Sequence, residues 1–288
     1  MSEEVSKIVD SDGNHMVVKY ANGYPFPSFE KLKDNLDEFK KWTPKPQDVF
    51  LFAYPSSGTH WLWEVTCMLI EGKAERLQLE KEHYMIENSS SKTLDSLKEP
   101  RVLNAHVYIE QVPECLLENN KIILISRNPK DTAVSWYNHN VADLETDYTG
   151  KFPAFYELFR VGNVPNGDWF NYNKTWWEWS KGRSNVLWVT YEDAKSDLKS
   201  VTKQIAKFLE IPASDELCQA IAQECTFKKM KAEKHNLLPF ELRGDMSFYR
   251  KGQVGDWKNW FTVAQNEDFD QIWDEKMKDC DLPVQFTI

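Results

Sequence analysis

Four short apolar segments, separated by longer amphipathic stretches, dominate the pattern of this 288-residue chain. They lie at residues 49–54, 101–105, 121–126 and 186–191. The segments at 49–54 and 121–126 are apolar at nearly every position, which is typical of strands buried on both faces. Because helical patterns lie between the segments, the sequence predicts a three-layer α/β fold, in which helices flank a central parallel sheet.

Amphipathic patterns predict several of these helices. Residues 61–70 follow the first predicted strand, and apolar residues recur at helical spacing over 201–209. A third pattern repeats every four residues after Ser214, a residue type that caps helices well. Residues 1–48 are polar and contain several prolines, so we expect them to wrap the surface before the first central strand. The polar segment 143–169, which contains glycine and proline, is expected to form a lid.

Composition limits the domain count and the class of function. Hydrophobic residues make up 41% of the chain and no repeat or linker interrupts it, so we expect a single domain over residues 1–288. A net charge of −10 argues against a general nucleic-acid binder, although it permits a local basic pocket for one anion. No segment approaches the roughly 20 apolar residues of a membrane span, and the N-terminus is acidic and polar. The five cysteines are scattered without metal-ligand spacing. We therefore expect a cytoplasmic protein with free thiols and no metal.

The loop at residues 53–61, between the first predicted strand and its helix, is the most informative segment. It carries Ser56, Ser57, Gly58 and Thr59 just before a predicted helix N-terminus, where N–H groups and the helix dipole attract anions. It is not a Walker A motif, which needs a second glycine and a Lys-Ser or Lys-Thr pair. The loop predicts a P-loop-like phosphate-binding site, with an ordinary strand-to-helix turn as the alternative.

Arg127 directly follows the apolar segment 121–126, and Ser135 lies eight residues further on in a predicted helix. An arginine at the carboxyl end of a strand is well placed to bind a phosphate with its forked guanidinium group. The alternative is a surface arginine paired with Asp131.

A third cluster joins two cations, Arg250 and Lys251, to Gly252, which allows close approach of the backbone. A solvated basic loop is the alternative interpretation. In parallel sheets ligands bind at the carboxyl ends of the strands. The loop at residues 53–61 and the segment that begins at Arg127 are both predicted to lie there. The recurrence of such clusters in an acidic chain favours an anion site.

Five motifs in the same order resemble those of the cytosolic sulfotransferases, and the resemblance spans nearly the whole chain. They are Tyr54-Pro55-x-Ser57-Gly58-Thr59-x-Trp61, Arg127-Asn128-x-Lys130-Asp131 with Ser135, Tyr191-Glu192-Asp193, Phe227 to Met230, and Arg250-Lys251-Gly252 through Gly255-Asp256-Trp257-Lys258. Members of this family move a sulfonate group from 3′-phosphoadenosine 5′-phosphosulfate (PAPS) to an acceptor hydroxyl or amine. The resemblance implies PAPS as co-substrate, adenosine 3′,5′-bisphosphate (PAP) as product, and no metal.

The resemblance also implies a set of nucleotide-binding residues. They are Ser57, Gly58, Thr59, His60, Trp61, Arg127, Ser135, Tyr191, Cys225, Phe227, Met230, Phe248, Arg250, Lys251 and Gly252. Within this set, the 5′-phosphate would be bound by Ser57, Gly58 and Thr59. The 3′-phosphate would be held by Arg127, Ser135, Arg250 and Lys251. Trp61 and Phe227 would sandwich the adenine, which suits flat aromatic faces.

His106 and Ser56 are the implied catalytic positions. His106 follows the apolar segment 101–105 and matches the family's histidine base, which takes the proton of the acceptor. Ser56 stands where the family has a loop lysine, and Asn104 stands where it has a lysine two residues before the histidine. Both lysines would face the reacting oxygen, and losing one such donor typically costs about 10²–10³ in rate. His60 can supply a replacement cation.

Three functions stay open at this point. The chain is a working sulfotransferase with an altered leaving-group site, a nucleotide- or small-molecule-binding homologue with weak or no transfer, or a relative with other chemistry on a bound small molecule. The retained His106 favours the first, since a pure binder has no use for a base.

The acceptor is expected to be small and either aromatic or apolar. The candidates for its pocket are Asn104, His106, Phe26, Tyr84, Tyr137 and His139. For each aromatic residue, packing in the core is the alternative.

A short C-terminal pattern matches the family's dimer motif. Its matching residues are Lys258, Thr262, Val263 and Glu267. The resemblance implies a homodimer that forms through a small contact, and the alternative is an exposed segment at a helix start.

Overall fold

The computed structural model of the protein describes residues 5–76, 81–234, 242–244, 246–247 and 249–288. The strands in these ranges are β1 (Val5–Val9), β2 (His15–Ala21), β3 (Tyr24–Phe26), β4 (Val49–Ala53), β5 (Val102–Ala105), β6 (Lys121–Ser126) and β7 (Val186–Thr190). The α-helices are α1 (Leu32–Phe39), α2 (Thr59–Glu71), α3 (Ser91–Ser96), α4 (Glu114–Asn119), α5 (Pro129–Ala142), α6 (Phe152–Phe159), α7 (Trp169–Ser180), α8 (Tyr191–Ser196), α9 (Leu198–Phe208), α10 (Asp215–Glu224), α11 (Phe227–Lys234) and α12 (Val263–Met277).

A parallel sheet with the strand order β5-β4-β6-β7 forms the centre of the fold. Leu51 of β4 lies opposite Asn104 of β5 on one side and opposite Ile123 of β6 on the other. The predicted parallel sheet flanked by helices is therefore confirmed. Because all four strands run the same way, their carboxyl ends lie at one edge, which is where ligands bind in such folds.

Burial on both faces explains why β4 is apolar at every position. All five of its residues are buried. On one face, Phe52 stacks on Trp176 of α7, with their ring centroids 4.9 Å apart. Helix α2 packs against β4 and β5, and Trp63 Nε1 donates a hydrogen bond of 2.8 Å to the carbonyl of Val102.

The predicted helices are present with slightly wider bounds. Helix α2 extends the predicted 61–70 by two residues at its start, and α9 and α10 match the two later patterns. Ser214 caps α10 by accepting a hydrogen bond of 3.2 Å from the backbone N–H of Leu217. Within the described residues, no helix combines the length and the apolar character needed to cross a membrane.

The expectation that residues 1–48 only wrap the surface is wrong. Strands β1, β2 and β3 form an antiparallel sheet, and α1 follows them. Met16 and Val18 are fully buried because alternate residues of a strand point to the same face. The alternation of buried and accessible residues is short here, and the nearby prolines and polar residues hide it in the sequence.

The segment 143–169 is also not a lid. It contains α6, whose Phe155, Tyr156 and Phe159 are buried in an aromatic cluster. Tyr148 is fully buried as well, and its hydroxyl donates a hydrogen bond of 2.8 Å to the Asp10 carboxylate in the turn after β1. The segment is therefore part of the packed core.

A buried ion pair fixes the start of the two strands that lead to the candidate site. The guanidinium of Arg101, just before β5, donates to both carboxylate oxygens of Asp48, just before β4, and the Nε–Oδ1 distance is 2.7 Å. Both side chains are inaccessible to solvent. Arg101 Nη1 also donates to the carbonyl of Leu94 at 2.7 Å. This network holds the relative position of β4 and β5 from the end opposite to the site.

We expect Asp48→Ala to lower the free energy of unfolding by about 3–5 kcal/mol, because it leaves the buried Arg101 with only the longer contact of 3.5 Å to the exposed Asp95 carboxylate. Urea denaturation followed by tryptophan fluorescence measures the change. The control Asp37→Ala removes the exposed partner of Lys33 within α1 and should cost less than about 1 kcal/mol. Equal losses in the two variants would contradict a structural role for the buried pair.

Candidate active site

One cavity collects residues from the carboxyl ends of all four parallel strands. Ser56 follows β4, His106 follows β5, Arg127 follows β6 and Tyr191 follows β7, and all four line the cavity. The cavity encloses about 1490 Å³ of empty space, including the part that is open to solvent.

The loop after β4 has a backbone that only glycine fits at position 58. Gly58 has a φ of +99°, and a Cβ atom there would lie 2.8 Å from Cδ2 of Tyr191. The side-chain hydroxyls of Ser57 and Thr59 are buried and have no hydrogen-bond partner among the described residues. Thr59 lines the cavity, whereas the fully buried Ser57 does not reach its surface. The orphaned Thr59 hydroxyl at the start of α2 fits an anion that accepts its hydrogen bond.

Arg127 connects this loop to the C-terminal cluster. Its Nη1 donates to the carbonyl of Ser56 at 3.1 Å, and its Nη2 donates to the carbonyl of Gln253 at 3.3 Å. The guanidinium also lies 4.2 Å from the centre of the Tyr191 ring. The buried Nε has no partner in the described part of the chain, so it adds a third orphaned donor that fits an anion.

The alternative pairing of Arg127 with Asp131 does not occur among the described residues. The Asp131 carboxylate instead accepts hydrogen bonds from the backbone N–H groups of Gly255 and Trp257, at 2.7 and 2.9 Å. Arg127 and Asp131 therefore hold the C-terminal cluster against the sheet edge through separate contacts. Ser135, one α-helical turn beyond Asp131 in α5, lines the cavity.

Two aromatic residues predicted to bind adenine line the cavity, and each is held by a neighbour. Trp61 Nε1 donates a hydrogen bond of 2.6 Å to the carbonyl of Cys225. The Phe227 ring lies on Gly252, where a Cβ atom would be 2.2 Å from Cδ2 of the ring. Met230 lines the cavity, whereas Cys225 is fully buried and positions Trp61 from behind the wall.

Arg250 and Lys251 share one carboxylate instead of projecting freely into solvent. Arg250 Nη2 and Lys251 Nζ donate to the two oxygens of Asp256 at 2.6 and 2.7 Å. Burial by itself raises the pKa of Asp256, but hydrogen bonds from Lys251, Asn259 and Arg250 hold it far below its usual range. Both cations line the cavity and together outnumber their single anionic partner. Phe248 lies outside the described residues.

His106 is fixed in one orientation. Its Nδ1 lies 2.7 Å from the carbonyl oxygen of Ala53, and since a carbonyl can only accept, Nδ1 carries the proton. Nε2 is then the basic nitrogen. Burial, followed by the positive charge of Lys81, lowers the pKa of His106 to about 3, so the ring is neutral at physiological pH. The backbone N–H of His106 donates to the Glu87 carboxylate.

Asn104 does not line the cavity. It is fully buried, its Oδ1 accepts a hydrogen bond of 2.7 Å from Lys81 Nζ, and its Nδ2 donates to the carbonyl of Tyr84 at 3.0 Å. Lys81 does line the cavity. A cation from another segment of the chain therefore lies next to Asn104 at the cavity wall.

His60 lines the cavity and forms an ion pair with Glu82, with 3.2 Å between Nε2 and Oε1. Although burial opposes it, the His60 charge lowers the pKa of Glu82 to about 2. Glu82 is therefore ionised at neutral pH, and its carboxylate lies next to the His60 ring at the cavity wall.

The three aromatic residues predicted for the acceptor pocket are placed elsewhere, as Asn104 is. Phe26 is fully buried in β3, Tyr84 packs on the Trp63 ring, and the Tyr137 hydroxyl donates to the carbonyl of Gly150 at 3.2 Å. None of the three lines the cavity, so their placement agrees with the alternative of core packing. His139 does line it.

The cavity also contains residues that no motif indicated. They include Pro27, Phe29, Lys81, Glu82, Met85, Trp136, Asn138, Asn166, Lys195 and Tyr249. Most lie in loops or 3₁₀ turns outside the strand ends, where the sequence offers no periodic signal. The Phe29, Met85 and Trp136 side chains give part of the cavity an apolar wall.

Comparison with known proteins gives consistent matches over most of the chain. A family model described as a sulfotransferase domain matches residues 46–281. The chain is 36% identical over 283 residues to Sulfotransferase 1E1 of Homo sapiens, covering 91% of this chain and 94% of that protein. It is 35% identical over 273 residues to Sulfotransferase 1A1 of Rattus norvegicus, covering 89% and 93%.

Solved structures match equally well. The crystal structure of mouse sulfotransferase SULT7A1 complexed with PAP has a TM-score of 0.75 at 34% identity, covering 92% of this chain and 96% of that chain. The structure of retinol dehydratase in a complex with retinol and PAP has a TM-score of 0.79 at 21% identity, covering 94% and 92%. At that identity the second likeness shows a shared fold alone.

Two glycines at opposite ends of α2 offer a matched test of the loop geometry. Both have positive φ, but a Cβ at Gly72 would meet nothing within 4 Å. Gly72→Ala should cost about 1–2 kcal/mol from the backbone conformation alone. Gly58→Ala should cost about 1–3 kcal/mol more, because its methyl group collides with the Tyr191 ring. Thermal unfolding measures both, and equal losses would mean that the ring yields without cost.

Proposed function

The chain belongs to the sulfotransferase family, and we propose that it transfers the sulfonate group of PAPS to a hydroxyl or amine of a small aromatic or apolar acceptor. His106 acts as the general base in this proposal. The observation that carries it is the hydrogen bond from His106 Nδ1 to the Ala53 carbonyl, which leaves Nε2 as the basic nitrogen of a neutral ring at the cavity wall.

The donor nucleotide lies along the strand ends in this proposal. The orphaned hydroxyl of Thr59 and the N–H groups at the start of α2 receive the 5′-phosphate. The 3′-phosphate is held by Arg127, Ser135, Arg250 and Lys251. The adenine lies between Trp61 and Phe227. The mouse sulfotransferase solved with PAP, at 34% identity, supports a PAP-like nucleotide in this chain.

The chemical step needs one proton acceptor and stabilisation of a leaving group. The acceptor oxygen or nitrogen forms a bond to sulfur while the bond from sulfur to the phosphate oxygen breaks, and PAP leaves with the bonding electrons. His106 Nε2 takes the proton of the acceptor. The lowered pKa keeps this nitrogen unprotonated, and the in-line approach of donor and acceptor supplies much of the rate.

The apolar wall supports the acceptor class. Phe29, Met85 and Trp136 line the cavity together with His106 and His139. Apolar linings with a few convergent polar groups are typical of small-molecule sites. A flat or hydrophobic acceptor would bury its body against this wall and present its hydroxyl or amine to His106.

A second candidate is a nucleotide-binding homologue with weak or no transfer, or with altered chemistry on a bound small molecule. Ser56 favours it, since serine provides no positive charge beside the leaving oxygen. Incubation with PAPS and a panel of phenols, alcohols and amines separates the candidates by the PAP released. If the nucleotide binds with micromolar affinity but no PAP is released, the transferase proposal is wrong.

The pH dependence of turnover tests the base. Because the His106 pKa is lowered to about 3, the neutral base is lost only as the pH falls through that value. We expect kcat/KM to stay level from neutral pH down to about pH 5, whereas an unperturbed histidine would titrate near 6.5. His106→Gln should lower kcat by about 10²–10⁴ while PAP affinity stays within a few-fold. A decline of the wild-type rate below pH 6.5 would argue against this base.

We further propose a cytoplasmic location. Supporting it, all five cysteines lie in the described residues and are free thiols. Free thiols persist in reducing compartments, where disulfides are rare.

We also propose a homodimer that forms through the C-terminal pattern. Lys258, Thr262, Val263 and Glu267 are all exposed, and Val263 keeps 75% of its surface accessible. Thr262 caps α12 by accepting a hydrogen bond of 3.2 Å from the backbone of Gln265. The segment therefore presents an ordered apolar residue beside opposite charges, which suits a small self-complementary contact.

Val263→Glu should convert the dimer to a monomer at micromolar concentration, as measured by light scattering. The control Val9→Glu changes another exposed valine, in β1, and should leave the mass unchanged. A wild-type monomer at that concentration would refute the dimer.

A further inference from the structure

We propose that Lys81 supplies the ammonium group of the transfer centre and that Asn104 holds it there. This inference rests on the proposed function, because it names the cation that the sulfonate group would meet. The family resemblance places lysines at positions 56 and 104, but this chain has a serine and an asparagine there. The proposal therefore takes the cation from a different position in the chain.

Lys81 is a buried lysine at the cavity wall. Only 5% of the residue is accessible, and it lines the same cavity as Ser56 and His106. Its Nζ donates one hydrogen bond, to Asn104 Oδ1 at 2.7 Å. Among the described residues it forms no ion pair. An ammonium group has three donors, so Lys81 keeps hydrogen-bonding capacity for a ligand in the cavity.

Asn104 holds both the ammonium group and the backbone that carries it. Its Nδ2 donates to the carbonyls of Tyr84 at 3.0 Å and Lys81 at 3.3 Å, the two ends of a 3₁₀ turn over Lys81–Tyr84. Its Oδ1 accepts from Lys81 Nζ. Met85 adds a parallel β-bridge to Asn104. The turn is thereby fixed to β5 two residues before His106.

An amide at position 104 suits this arrangement better than a lysine does. A lysine there would bring a second ammonium group next to Lys81 and would remove the acceptor that Oδ1 provides. Asn104 therefore binds and positions a cation that another segment of the chain supplies. The positive charge reaches the site from the turn before β5 instead of from the strand itself.

The surrounding charges leave the ammonium group available. Glu82 is engaged by His60 at 3.2 Å. Burial raises the pKa of Glu87 to about 7, so this carboxyl is only partly ionised at neutral pH and also accepts from the backbone of His106. Burial is the main cause of the lowered pKa of His106, and the charge of Lys81 is the next. Burial also lowers the pKa of His139, to which Lys81 adds only the smallest of several charge effects.

The chemical role follows from where negative charge develops. As the bond from sulfur to the phosphate oxygen breaks, charge grows on the oxygens around the transferred group, and a fixed cation in a water-poor site stabilises it. Burial lowers the pKa of Lys81, and the nearby Glu82 and Glu87 carboxylates oppose that shift. In the proposed step Lys81 acts as a fixed cation and the acceptor's proton goes to His106. The charge of the ammonium group, after burial, also lowers the pKa of His106, so the ring is unprotonated before the transfer begins.

The first test is Lys81→Met, which keeps the length of the side chain and removes its charge. We expect kcat to fall by about 10²–10³ while the affinity for PAP changes less than fivefold. The matched control is Lys174→Met, whose ammonium also donates to a neutral oxygen, the carbonyl of Lys276, but does not line the cavity. It should keep the wild-type kcat. A Lys81→Met enzyme with kcat within threefold of wild type overturns the proposal.

Two further readouts separate a chemical role from a structural one. In Lys81→Met, the pKa of His106, measured by NMR, should rise, because a nearby positive charge has been removed. The double variant Lys81→Met/Asn104→Lys should recover at least tenfold of the lost kcat by restoring a cation from β5. An unchanged His106 pKa contradicts the proposal, and so does the absence of rescue in a double variant that is folded by circular dichroism.

A readout without turnover keeps this inference distinct from the proposed function. Inorganic sulfate, added to the complex with PAP, probes the position of the transferred group. We expect Lys81→Met to weaken sulfate binding at least tenfold and Lys174→Met to leave it unchanged. If the wild-type protein shows no turnover, the proposed function fails, but this comparison still decides whether Lys81 is the cation: equal sulfate affinity in wild type and Lys81→Met rejects it.

Discussion

The common direction of β4, β5, β6 and β7 is the constraint on which the site depends. Because the strands are parallel, each delivers its next residue to the same edge of the sheet. The buried pair of Arg101 and Asp48 fixes the opposite end, so the offset between β4 and β5 is set before either reaches the cavity. The hydrogen bond from His106 to the Ala53 carbonyl depends on that offset, since it joins the last residue of β4 to the first residue after β5.

Backbone carbonyls and amides position most of the charged side chains at this edge. Arg127 is held by two carbonyls, and Asp131 by two backbone N–H groups. Asn128, at the start of α5, donates to Glu192 through its backbone at 3.0 Å and its side chain at 2.9 Å, so the loops after β6 and β7 support each other. Groups fixed in this way lose little freedom when a ligand binds, which is the physical meaning of a preorganised site.

The sequence predicted the central strands because burial on both faces leaves an unbroken apolar run, as in β4. It predicted Arg127 and His106 because each directly follows such a run. It failed where position in space is not encoded locally. Lys81 reaches Asn104 across 23 residues of chain, and nothing around it forms a motif.

Other misses have related causes. Aromatic side chains look alike whether they line a cavity or fill a core. Phe26 belongs to the core, and Tyr137 packs against it. The helix α6 was hidden because polar turns flank its short aromatic run. These errors concern packing partners, which the periodicity of a sequence cannot identify. The central strands could be predicted, because burial on both faces makes their sequences apolar.

The position of Arg127 has a consequence for the energetics of the whole molecule. It joins the loop after β4 to Gln253 in the C-terminal segment while its Nε stays available in the described structure. An anion bound there completes a contact that already spans 126 residues of sequence. Binding and folding are then thermodynamically linked: a ligand at 100 times its Kd adds about 2.7 kcal/mol to stability. Part of that gain would appear as slower hydrogen exchange in residues 249–256, far along the chain from the loop that holds the ligand.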